Sequence, residues 1–116
     1  MRRLQSHLVG VDQGTVNLFS DFATDGEMWV GEGTRERRQW VAFSEPFLTP
    51  PVVQVALSLW DMDNETNVRS DIAAEDITEA GFNIVFRTWG DSRVARVRMA
   101  WTAIGEARDD EQWELY

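Results

Sequence analysis

Arg69 and Trp89 are the residues whose types and places could recognise a ligand. Trp89 closes the run "GFNIVFRTW" and stands directly before "GDS", residues 90–92. Counting by twos puts Phe82, Ile84 and Phe86 on one face and sets Trp89 off it, with Asn83, Val85 and Arg87. So large an apolar side chain at the rim of a turn reads as a platform or an interface plug. Arg69 stands at a second rim, after the polar stretch "DMDNETN" (61–67). A guanidinium offers a planar fork of donors, and an indole offers an apolar plate. Together they suit a polyol with one apolar face. Its ring C–H groups would stack on the tryptophan and its hydroxyls would accept from the arginine. Sugars are such ligands.

Other chemistries are poorly supplied. His7 is the only histidine and lies near the chain start, so a Ser-His-Asp arrangement would have to use it. Asp61, Asp63 and Glu65 alternate like the opening of a calcium loop. Thr66 then stands where such a loop needs glycine, and Ile72 where it needs glutamate. A solvated loop is the better reading. A carboxylate pair could hydrolyse a glycoside, but with 20 acidic residues such a pair is available by chance. There is no cysteine for a thiolate or a cysteine zinc site, and no glycine-rich phosphate loop. We expect a binding protein, not an enzyme, with no cofactor and no metal.

The elements that must position Arg69 and Trp89 read as strands. "VVQVALSLW" (52–60) alternates, with Val53, Val55, Leu57 and Leu59 on one face and Val52, Ala56 and Trp60 on the other. "RVARVRMAWTAI" sets Ala95, Val97, Met99, Trp101 and Ala103 opposite Arg96 and Arg98. Residues 14–22, 37–44 and 67–77 are further strand candidates, the last with helix-compatible alanines. Turn signals separate them, including "SEPFLTPP" with all three prolines. Short strands at near-regular spacing predict an all-β sandwich or barrel. Residues 82–89 and 93–104 are expected to form an antiparallel hairpin, with Phe82, Ile84, Phe86, Val97, Met99 and Trp101 facing one core.

At 116 residues the chain is one domain by length, able to bury roughly two thirds of its unfolded surface without staples. A formal net charge of −9 repels phosphate backbones and argues against nucleic acid. No apolar run approaches the roughly 20 residues of a membrane span. "LVGV" near the start is too short for a signal peptide. Location is therefore open, with a particle-associated or released protein in view. The organisation expected is an N-terminal segment (1–24), a sandwich (25–105) and an acidic tail (106–116).

An ordered set of short pieces resembles the H-type lectin domain, the family of snail agglutinins and discoidins. The pieces are Phe43, Phe47, Pro51 and Val52, a strand ending in Asp61, then Arg69, "ITEAGF", "TWGDS" and "AW", preceded by the lead-in "GEMWVGEGTRERRQ". The resemblance covers roughly residues 25 to 105. It implies a six-stranded antiparallel β-sandwich that assembles as a homotrimer. It implies shallow sites for galactose or N-acetylgalactosamine on glycans, near subunit interfaces. It also implies sugar contacts from Arg69, Trp89 and a lead-in acid, which an ungapped register makes Glu32. Two positions depart from the pattern. Gly90 stands where the agglutinins often have histidine, and Ala95 where they have an aromatic. Asp91, beside the missing histidine, could supply a replacement acceptor. The alternative is a trimeric assembly module of a bacterial or phage-like particle, in which the scaffold is kept and the sugar site is degenerate.

Overall fold

The computed structural model describes residues 1–109. The distal part of the expected acidic tail, with Trp113 and Tyr116, lies outside the described residues. Six strands and one short helix follow in order: β1 (Val9–Ser20), α1 (Glu27–Val30), β2 (Arg35–Ala42), β3 (Val52–Met62), β4 (Asp71–Glu75), β5 (Gly81–Thr88) and β6 (Val94–Glu106). They form two three-stranded antiparallel sheets, β1-β6-β3 and β2-β5-β4. The all-β, six-stranded sandwich is as expected. No helix among the described residues is long and apolar enough to cross a membrane.

The core is aromatic at one end. Phe43 stacks on Phe82 at 5.8 Å, while Trp101 meets Phe82 at 5.6 Å and Phe43 at 5.9 Å. Phe82, Ile84, Phe86, Val97, Met99 and Trp101 all face this core, as alternation predicted. They do so from opposite sheets, so the expected β5–β6 hairpin is wrong. β5 pairs with β2 and β4, and β6 with β1 and β3. Residues 89–93 cross between the layers, with Gly90 at a left-handed φ of 68°. Period-2 counting finds which residues share a core but not which strands share hydrogen bonds.

A bulge corrects a second expectation. Val53, Val55 and Leu57 face inward opposite Ala103, Trp101 and Met99. The register then slips at Ser58, and Leu59 pairs with Arg98 on the outer face. One extra residue reverses every later side chain. Trp60 therefore shares the side of Val97, although it remains 59% exposed at the sandwich edge. The fourth strand starts at Asp71, later than the expected 67, because residues 67–69 are bonded to side chains instead.

The two outer faces differ in chemistry. On β2-β5-β4, Val85 is fully buried under a charged lattice. Arg87 reaches Glu36 at 2.8 Å and Glu75 at 2.9 Å, and Arg38 reaches Glu75 at 2.6 Å. Hydrogen bonds from Arg87 and then Arg38 hold the Glu75 carboxyl below the usual range, so it stays ionised. On β1-β6-β3, Val11, Ile104 and Val52 lie abreast and exposed. Next to them are neutral rows, Gln13-Thr102-Gln54 and Thr15-Ala100-Ala56. This face is aliphatic and neutral only at that end; toward the other end it carries Arg98, Arg96 and Asp61.

Candidate functional site

The site is built around the crossing at residues 88–93. Thr88 ends β5 and is fully buried, and Ser92 is 1% exposed. Their hydroxyls turn inward and clamp a segment that belongs to no strand. Thr88 Oγ1 donates to the carbonyl of Arg69 at 2.6 Å. Ser92 Oγ accepts from the Arg69 N–H at 3.1 Å and donates to the carbonyl of Asn67 at 2.6 Å. The three residues between Thr88 and Ser92 are left outside. Trp89 is 43% exposed there, a rim position as its phase predicted.

Arg69 and Asp91 meet in this rim as an ion pair, Nη1 to Oδ1. The Asn67 amide lies 3.4 Å from both Asp91 oxygens. The Arg69 hydrogen bond, with smaller help from Asn67 and the main chain, outweighs partial desolvation and holds the Asp91 carboxyl below the usual range. Its contribution is therefore fully present above the ordinary aspartate value of about 3.9 and is lost only as pH falls through the lower, folded value. A carbon-detected NMR titration of the Asp91 carboxyl should give a midpoint below about 3.9. The midpoint should rise in Arg69→Ala, and an unshifted wild-type midpoint would dissolve the pair.

Gly90 has two reasons to be glycine. Its φ is left-handed, and a Cβ built there would lie 2.9 Å from Arg69 Nη1. A histidine here, as the agglutinins often have, would require the flexible end of Arg69 to move aside. Gly90 and Arg69 thus occupy the room between them, and Asp91 stands beside it. Ala95, the second departure, is 5% exposed and its carbonyl accepts from the N–H groups of Asp21 and Phe22. That position faces inward and offers no ring to a ligand.

The lead-in acid is brought to the same rim. Gly33, at φ 76°, donates its N–H to the Gly90 carbonyl at 2.9 Å. The backbone next to exposed Glu32 therefore abuts the turn that carries Trp89 and Asp91. The loop is shaped by α1, a single turn that sequence reading did not anticipate. Asp21, 6% exposed, accepts from the Met28 N–H at 3.0 Å and pairs with Arg37 at 2.9 Å. Gly31 ends the turn by donating to the Glu27 carbonyl at 2.8 Å.

Elsewhere the other candidates are accounted for. Asp61 pairs with Arg96 and Asp63 with Arg93. No cluster of metal-ligating side chains occurs among the described residues. His7 Nε2 lies 3.0 Å from Asp109 Oδ2, away from this rim. Thr88, Ser92 and Arg35 are the residues sequence reasoning missed. Two of them were visible as the ends of "TWGDS", but their partners lie about twenty residues away.

An arginine–carboxylate pair on the turn that also carries an exposed tryptophan is thus set on a rim between two β-layers. The sequence profile of the H-type lectin domain matches residues 38–104, and the chain belongs to that family. A protein of Fuscovulum blasticum described as ATP synthase subunits region ORF 7 is 62% identical over 107 residues, which are 92% of this chain and 93% of that one. Two structures of discoidin II from Dictyostelium discoideum share the fold. The recombinant protein superposes with a TM-score of 0.75 at 23% identity over 93% of this chain, and the wild-type protein with 0.74 at 24% over 87%. This chain spans only 41% and 38% of those two chains, about two fifths of discoidin II.

Proposed function

We propose that this module binds galactose- or N-acetylgalactosamine-type sugars of glycans between Arg69, Trp89, Asp91 and Glu32. The observation that carries the reading is the Arg69–Asp91 pair beside a half-exposed Trp89. The pair offers adjacent donors and acceptors, which a vicinal hydroxyl pair can bridge. Gly90 leaves room for the Arg69 guanidinium to lie against the turn and present its donors there. Stacking that hides about 60 Å² on Trp89 contributes on the order of 1.5 kcal/mol. One site then binds at about millimolar strength, roughly −4 kcal/mol. Useful affinity comes from repetition, so we propose a homotrimer joined through the Val11-Ile104-Val52 face, acting on multivalent glycans.

That apolar face also favours a second reading, an assembly module whose sugar site is degenerate. Light scattering at micromolar concentration should give three times the chain mass, and a monomer mass removes the trimer. Titration with galactose and N-acetylgalactosamine at tens of millimolar should shift tryptophan fluorescence and the Gly90 and Asp91 amide resonances. If neither sugar moves them, the assembly reading is the better one.

A further inference from the structure

Arg35 is 6% exposed, yet none of its hydrogen bonds goes to a carboxylate. All five guanidinium N–H groups are spent on main-chain carbonyls. Nε donates to Gly33 at 3.0 Å. Nη1 donates to Glu27 at 3.3 Å and Met28 at 3.1 Å. Nη2 donates to Gly90 at 3.3 Å and Ser92 at 2.7 Å. One planar group therefore joins the lead-in loop to the turn that carries Trp89 and Asp91. The route of its stem is reserved as well, since a Cβ built on Gly31 would lie 3.1 Å from Arg35 Cδ. A buried cation is costly to solvate with carbonyls alone, so the arrangement calls for a reason beyond packing.

We propose that Arg35 is a positioning residue of the sugar site: it touches no ligand and sets the spacing between the Glu32 loop and the Trp89–Asp91 turn. This rests on the saccharide reading above. Both halves of the site hang from the same guanidinium, on opposite nitrogens. Gly33 N–H to Gly90 O is the direct bond between those halves, and Arg35 braces it from behind. Lysine keeps the charge but donates from one centre and cannot span the two segments. Because coupling is reciprocal, a sugar that needs the brace must also tighten it.

The test uses the full chain and two measurements, sugar affinity and amide hydrogen exchange. Arg35→Lys should bind N-acetylgalactosamine at least ten-fold more weakly than wild type. Its Gly33 amide should exchange at least ten-fold faster, while the core amides of Val85 and Met99 keep their protection. A uniform loss of protection, or an unchanged affinity with wild type binding normally, overturns the positioning role. The wild-type chain supplies a second arm that needs no variant to fold. Saturating N-acetylgalactosamine should slow Gly33 exchange at least three-fold and leave Val85 unchanged. Binding without any slowing also overturns the role. If wild type binds neither galactose nor N-acetylgalactosamine, the saccharide reading itself falls and takes this role with it.

Discussion

Arg69→Ala is expected to leave a folded sandwich that no longer binds sugar measurably. Removing a charge-assisted donor costs on the order of 1.5–3 kcal/mol, or about ten- to a hundred-fold in affinity. A site that starts near millimolar strength then falls beyond titration. The fold survives because both clamps on Arg69 grip its main chain, the N–H by Ser92 and the carbonyl by Thr88. Asp91, with a side chain 55% exposed, is left solvated and ionised, not stranded in the interior. Trp89→Phe should cost less, about two- to three-fold, because a smaller plate still covers most of the ring face. Isothermal or NMR titration of the two variants beside wild type reads the order directly. Undiminished binding by Arg69→Ala would place the site elsewhere.

The largest stability effect is expected at Phe82. It has no exposed surface and meets Phe43 and Trp101 at the meeting of the two sheets. Phe82→Ala leaves a cavity that these two rigid neighbours cannot close, at about 3–5 kcal/mol. That is a large part of the roughly 5–15 kcal/mol that holds an ordinary domain folded. Thermal unfolding should move down by roughly 15 °C, at about 4 °C per kcal/mol. A fall of only a degree or two would mean that the aromatic cluster is not the joint between the sheets.

The core residues and the rim were legible because alternation reports which side chains are hidden. Phe82, Ile84 and Phe86 went inward and Trp89 stayed out by that count alone. What was not legible depends on contacts between distant segments. Ser58 carries no mark of a bulge, yet it turns Leu59 outward. Arg35 sits in "RERR", which reads as a solvated charged face, and its five acceptors are main-chain atoms that no side-chain pattern encodes. Arg69 and Asp91 were each named for recognition chemistry, but their pairing needed the fold to bring residues 67–69 against Ser92.

The pairing of β1 with β6 matches Val9 with Glu106. β6 then runs 13 residues back to Val94, which follows the recognition turn. At about 3.4 Å per residue that is roughly 40 Å of strand. Both ends of the sandwich polypeptide are therefore moored at one pole, and the Arg69–Trp89 rim looks out from the other. A cargo, a label or a sensor surface joined at either end would leave the rim pointing away from its attachment.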